Sequence, residues 1–314
     1  MPQSIPNGEG STSEPPSSGA PGAHVRVLGI AQDGGVPHIG CRNACCARAW
    51  TDLSYRRHAA CAAVLIPVGE GAVYRRWLVD ATPDLRWQLR HLDVAAPAAN
   101  PTMPGLEGIL LTHAHYGHVA GLAALGREAA GARGVAVWAM PRLLQLLGES
   151  RPWARLVEDG VILPRALEAG RALALGGGLS ATPLPVPHRT ALSETVAFRV
   201  QGPRSSLLWL PDVDAWDDAA ADPRALVGSV DRAYLDGTFF DGSELPGRDR
   251  SRIAHPTMSD TLERARSWPE ALRARLRFIH LNHSNPALWP GSPAREAVLG
   301  EGCGVAEEGE IWAL

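Results

Sequence analysis

Three histidines fall within six residues in Leu110-Leu111-Thr112-His113-Ala114-His115-Tyr116-Gly117-His118. An apolar strand pattern ends just before them, and an apolar helix pattern starts at Val119. At a strand end His113 and His115 project to one side, and His118 can turn back toward them from the start of the helix. Neutral imidazoles clustered in this way suit Zn2+ or Fe2+. The chain has only eleven histidines, so unrelated surface residues are a poor explanation for three in one segment. A second cluster, Gly40-Cys41-Arg42-Asn43-Ala44-Cys45-Cys46, holds three of the five cysteines. Crowded thiolates beside polar residues suit a structural zinc, which needs four ligands in a closed shell. His283 is the natural distant ligand. On an extended backbone it faces away from His280, three residues earlier, so the two can serve separate sites. Cys61 and Cys303 read as small buried hydrophobes.

Composition removes several alternatives. Thirty basic residues against thirty-three acidic ones give a charge of −3, which offers no broad basic surface for nucleic acid. Every basic residue is Arg, which excludes Schiff-base lysine chemistry and a Walker-type phosphate lysine. No apolar run approaches the roughly 20 residues that span a bilayer, and no basic start with an apolar core marks a secretory signal. The expected location is cytoplasmic, where crowded cysteines mean metal rather than disulfides. The expected partners are a small-molecule substrate and a second copy of the chain in a homodimer, with neither nucleic acid nor membrane.

The elements that must position these residues follow from periodicity. Residues 1–23, rich in Ser, Pro, Gly and Glu, read as a disordered tail, and residues 24–314 as one domain. A strand opens at Val25 and runs into the turn Asp33-Gly34-Gly35. Further strands are expected at Cys61–Pro67, Arg76–Ala81, Gly108–Thr112, Val135–Ala139, Ser180–Pro185, Glu194–Val200, Ser206–Leu210, Arg232–Leu235 and Arg277–Leu281. Helices are expected at Asp84–Leu92, Gly117–Gly126, Pro141–Leu147 and Asp260–Leu276, the last being the longest. Many strands with few helices suggest two sheets packed face to face with helices outside. The polar stretch Phe239–Pro256 is long enough to lie over a site.

The histidine segment resembles the signature of the metallo-β-lactamase superfamily, His-any-His-any-Asp-His after a strand. That resemblance implies an αβ/βα sandwich of two mixed sheets flanked by helices, with the active site at one edge. It implies that His113, His115 and His188 hold one metal, His188 closing Thr182-Pro183-Leu184-Pro185-Val186-Pro187-His188. It further implies that Asp212, ending Leu208-Trp209-Leu210-Pro211-Asp212, bridges to a second metal held by His118 and His280. Asp80, in Leu78-Val79-Asp80, matches an acid that orients a ligand histidine. At the signature's Asp this chain has Gly117, so a weakened second metal is expected, to be tightened by Gly117→Asp.

Within the superfamily, the Cys-rich knuckle with a late histidine resembles the branch containing phosphoribosyl cyclic phosphodiesterases and the coenzyme PQQ synthesis protein B family. There the cysteines follow Cys-any-Cys-any-any-Cys. Cys41 and Cys46 fit that spacing, while Cys45 is displaced from it. The segments Ala31-Gln32-Asp33-Gly34-Gly35-Val36-Pro37, Tyr234-Leu235-Asp236-Gly237-Thr238-Phe239-Phe240 and Ile279-His280-Leu281-Asn282-His283-Ser284-Asn285-Pro286 also resemble the synthesis-protein family. That family typically replaces the two leading histidines and keeps the Asp-His pair, and this chain does the reverse at the Asp, with Gly117 there. His255 matches a histidine that helps the phosphodiesterases as general acid, and Asp236 could hold it or a metal ligand.

These readings imply a hydrolase that uses metal-activated water on a small phosphodiester or ester-like bond. His255, Asp212 and Asp80 form the implied catalytic set, with Zn2+ in the knuckle and Zn2+, Fe2+ or Mn2+ in the active site. The alternatives are an iron-dependent oxidation in PQQ biosynthesis, and a non-catalytic protein that binds a metal or small molecule.

Overall fold

The computed structural model describes residues 22–69, 73–189, 191–216, 221–244 and 254–314. The expected tail up to residue 21, and residues 245–253 of the stretch expected over the site, lie outside the described residues.

Among the described residues, fourteen strands form two sheets of seven. The first contains β1 (His24–Gly29), β2 (Cys61–Val68), β3 (Val73–Val79), β4 (Gly108–Leu110), β5 (Val135–Ala139) and β6 (Ile162–Ala166), with the last strand, β14 (Ile311–Ala313), beside β1. The second runs β13-β12-β11-β10-β9-β8-β7. In chain order its strands are β7 (Leu173–Gly176), β8 (Leu179–Pro185), β9 (Val196–Gln201), β10 (Ser206–Leu210), β11 (Arg232–Asp236), β12 (Leu276–Ile279) and β13 (Gly304–Val305).

Sequence alone explains why β2 sits centrally. Its run Cys-Ala-Ala-Val-Leu-Ile is buried on both faces, as a continuous apolar strand requires. Val64 and Ile66 face the second sheet, where they share a core with Phe198 and Leu208. Ala63 and Leu65 face the opposite way, toward Leu85 and Leu92 of a helix at Leu85–Ala95 and Leu143 of another at Pro141–Glu149. Trp77 spans the sandwich, its indole N–H donating to the Leu175 carbonyl at 3.2 Å. The expected two-layer arrangement is therefore the observed one.

Strand direction decides where chemistry can occur. β3, β4, β5 and β6 are parallel, as are β10, β11, β12 and β13. The carboxyl ends of both sets open on one edge, the place where α/β sheets present functional side chains. Asp80, Thr112 and His113 follow β3 and β4, and Asp212, Asp236 and His280 follow or end β10, β11 and β12. β1 is antiparallel to β2, which is antiparallel to β3, so Asp33 after β1 reaches the same edge.

Two expected elements differ from those observed, and four observed strands were not expected. The long helix breaks into Met258–Ala265 and Glu270–Arg273, because Pro269 lacks an amide proton and turns Trp268 out of helical geometry. The segment after the histidines is one α-turn, Tyr116–Val119, followed by a 3-10 stretch to Leu125. β6, β7, β13 and β14 had no counterpart in the periodicity.

Candidate metal centre

The strand ends bring every ligand expected of the two active-site ions to one cleft. His113 Nε2 lies 2.9 Å from His115 Nδ1, which lies 3.2 Å from His188 Nε2. Asp212 closes this first set, with Oδ1 3.6 Å from His188 Nε2 and Oδ2 4.0 Å from His113 Nε2. The same Asp212 Oδ2 faces the second set, 3.2 Å from His118 Nε2 and 3.5 Å from His280 Nε2.

Asp33 completes that second set, and the sequence reading had given it only a turn. Its Oδ1 lies 3.6 Å from His118 Nε2 and 3.7 Å from His280 Nε2. Asp33 Oδ1, His118 Nε2, Asp212 Oδ2 and His280 Nε2 are all buried and have no hydrogen-bond partner among the described residues. Stranding four such atoms together is costly unless a cation joins them. Ligands about 2.1 Å from one metal in a tetrahedron stand roughly 3.4 Å apart, close to the spacing of these atoms. The donor set of imidazoles and carboxylates therefore fits Zn2+, and equally Fe2+ or Mn2+.

Matching carboxylate–threonine pairs on the two sheets fix the ligand rings. On the first, Thr112 Oγ1 donates to Asp80 and lies 3.0 Å from His113 Nδ1, while Asp80 Oδ2 takes the Nδ1 proton of His118 at 2.7 Å. On the second, Thr238 Oγ1 donates to Asp236 Oδ1 at 2.7 Å and accepts from His280 Nδ1 at 3.1 Å. His188 Nδ1 lies 2.9 Å from Asp214 Oδ1 without hydrogen-bond geometry. The threonine and Asp80 contacts occupy Nδ1 of His113, His118 and His280 and leave Nε2 for the cleft. Asp80 is thus a positioning residue that acts through His118. Both Asp80 and His280 sit at strand ends with positive φ, 68° and 63°, a strained conformation of the kind that collects at functional sites.

Electrostatics follow from this burial. Burial keeps His113 well below the ordinary histidine pKa, and it also lowers His115 and His188, so all three are neutral donors. Burial opposes charge on His118 as well, but the Asp80 and Asp212 carboxylates outweigh it and hold His118 well above. Burial would raise Asp212, yet His280, His113 and His118 hold it well below the carboxylate range.

His255 stands over both sets, its ring 5.3 Å from that of His188 and 6.1 Å from that of His280. Its Nδ1 donates to Asp236 Oδ2 at 2.6 Å. Burial opposes charging the ring, but Asp236 prevails and raises its pKa to about 9. Asp236 also accepts from the Val213 amide and from the amide and hydroxyl of Thr238. Asp236 thereby holds His255 directly and, through Thr238, the ring of His280.

Behind the cleft, Cys41, Cys45, Cys46 and His283 place their ligand atoms within 4.8 Å of one another. Cys41 and Cys45 sulfurs are 3.7 Å apart, and His283 Nδ1 lies 3.5 Å from both the Cys45 and the Cys46 sulfur. With Zn–S near 2.3 Å these are about the edges of a tetrahedral site. Cys45, displaced from the expected spacing, faces His283 at the same distance as Cys46. Burial raises Cys45 and pushes Cys46 up to about 12, so a cation is what would make these thiols ligands. His280 and His283 do face different sites, but through the left-handed turn at His280 and not through strand alternation, since β12 ends at Ile279. Cys61 and Cys303 are buried away from both clusters.

A family model described as a beta-lactamase superfamily domain matches residues 75–281. The chain belongs to the beta-lactamase superfamily. Within it, coenzyme PQQ synthesis protein B of Methylorubrum populi is 27% identical, the match covering 91% of this chain and 98% of that one. The protein of the same name from Xanthomonas euvesicatoria is 28% identical, with 92% and 99% covered. The crystal structure of Zn2+-bound PqqB from Methylobacterium extorquens superposes with a TM-score of 0.73 at 26% identity, covering 93% of this chain and all of that one. A diphosphatase of the PhnP family shares the fold, with a TM-score of 0.64 at 22% identity over 92% and 96% of the two chains. No helix among the described residues is long and apolar enough to cross a membrane.

Proposed function

We propose that this superfamily member is a metallohydrolase that cleaves a small phosphodiester or another ester-like bond. Asp212 carries the reading: one buried carboxylate stands between the two sets, with Oδ1 toward His188 and Oδ2 toward His113, His118 and His280. His113, His115, His188 and Asp212 would hold one ion, and His118, His280 and Asp212 a second. When bound, such ions supply hydroxide near neutral pH and polarise the bond under attack. His255 holds a proton on a ring that Asp236 keeps in one orientation, with Nε2 free to deliver it to a leaving oxygen. Phe239, packed edge-on to His255 at 6.2 Å, shields that ring from water.

Metal analysis of the purified protein, paired with a panel of phosphodiesters, tests the proposal. Zinc, manganese or iron in the protein with turnover of a diester supports it. Full metal content with no turnover of any diester, ester or lactone would point to a binding protein. The role of His255 is read from leaving groups: His255→Ala should slow diesters with alkoxide leaving groups by about 100-fold or more and spare p-nitrophenolate, which needs no proton.

A second reading, a part in cofactor biosynthesis, is favoured by relatives named coenzyme PQQ synthesis protein B that match over nine-tenths of the chain. Turnover that requires both Fe2+ and O2 would separate it from hydrolysis.

A further inference from the structure

Gly117 stands where the superfamily signature places a metal-binding aspartate, and the space beside it is filled. A Cβ built on Gly117 would lie 1.9 Å from Asp33 Oδ1, 2.7 Å from Asp33 Cγ and 2.6 Å from Asp33 Cα. The carboxylate of Asp33 therefore occupies the volume from which a side chain at position 117 would start. It also does what that side chain would do. Oδ1 is buried, has no hydrogen-bond partner among the described residues, and faces the Nε2 atoms of His118 and His280, likewise without one there, at 3.6 and 3.7 Å. These two observations are independent, one concerning room and the other an unsatisfied acceptor.

We propose that Asp33 is a ligand of the second ion, supplying from the β1 loop the carboxylate that the signature supplies from position 117. Gly117 is glycine because the relocated carboxylate needs the space. The loss of one acid and the gain of the other are a single exchange, and the expected weakening of the second site does not follow. Gly117→Asp would not tighten that site, because the new side chain would drive the Asp33 loop out of it. The carboxylate now comes from the loop that runs into the Cys41–Cys46 knuckle instead of from the helix that carries His118.

This inference rests on reading the cleft as a two-ion site, and its test reads metal content rather than activity. Full-length protein is equilibrated with buffered free Zn2+, desalted and measured by elemental analysis, and Co2+ is titrated in parallel for its ligand-field spectrum. The unmodified protein should hold about three zinc ions per chain, one in the knuckle and two in the cleft. Asp33→Ala should lose about one of these, its affinity at the second set falling at least about 10-fold. Gly117→Ala should lose the same ion, although it adds one methyl group and removes no ligand. Retention of all three ions in either variant would overturn the proposal. Asp33→Asn, which keeps the shape and loses the charge, carries the test where the alanine variant does not fold. If the unmodified protein takes up no cleft ion at all, the proposed function fails with it. If only the Asp33 and Gly117 variants behave like the unmodified protein, this inference fails alone.

Discussion

Asp80 takes the Nδ1 proton of His118 at 2.7 Å from a fully buried position at the end of β3. The contact leaves His118 one nitrogen for the cleft and fixes the direction of its ring. Asp80→Asn keeps the size and the left-handed backbone, which Asn tolerates, but removes the charge that selects the tautomer. Zinc affinity at the second set should fall about 10–100-fold, measured by chelator competition, with all first-set ligands intact. Unchanged affinity would reduce the Asp80–His118 contact to a packing role.

His115 offers Nδ1 to the first set, within 3.2 Å of both His113 and His188 Nε2. His115→Ala should remove about one ion per chain and abolish any hydrolysis, because a site with so few protein ligands does not survive the loss of one. Unaltered metal content and activity in this variant would reject the assignment.

The knuckle and the cleft should separate by mutation. Cys46→Ser or His283→Ala should release one zinc and lower the thermal midpoint by roughly 5–10 °C, as the loss of about 2–3 kcal/mol does in a chain of this size. The ion at His113, His115 and His188 should stay, since those ligands lie on other segments. His280→Ala should do the converse, impairing the cleft and keeping the knuckle zinc.

A stability measurement against pH addresses His58, whose ring pairs with Glu308 at 3.1 Å while Glu308 also accepts from the His58 amide. Burial opposes charging this ring, but Glu308 outweighs it and the pKa rises above 6.5. A raised folded-state pKa gives stability that is fully present below pH 6.5 and fades as pH climbs through the folded value. Glu308→Gln should therefore cost more at pH 6 than at pH 9 in chemical denaturation. An equal cost at both would show that the pair is not charged.

The cleft ligands could be read from the sequence because each closes or follows an apolar strand, so local pattern and position in the fold coincide. His113, His188, Asp212 and His280 are of this kind. Asp33 is not, for it sits before two glycines and looks like a turn residue until a segment 84 positions later is folded against it. The paired orienters Thr112 and Thr238 escaped for a similar reason, since a threonine at a strand end is ordinary unless its ring partner is known. Strands β13 and β14 are two and three residues long, too short for any period to register, and they form only because β12 and β1 offer them an edge.

The two metal-binding clusters are threaded on the same pair of chain segments. One carries Asp33 and then Cys41, and the other carries His280 and then His283. Between the clusters these segments are stitched together: Gln32 donates its amide to Leu281, Leu281 donates to Ile30, and the Asn282 side chain donates to that of Gln32. Such an arrangement makes the ions thermodynamically reciprocal. If zinc in the knuckle narrows the positions open to Asp33 and His280, it favours the second cleft ion by some factor, and that ion must favour the knuckle zinc by the same factor. Filling the knuckle would then raise the affinity of the second cleft site, and emptying it would lower that affinity by the same factor.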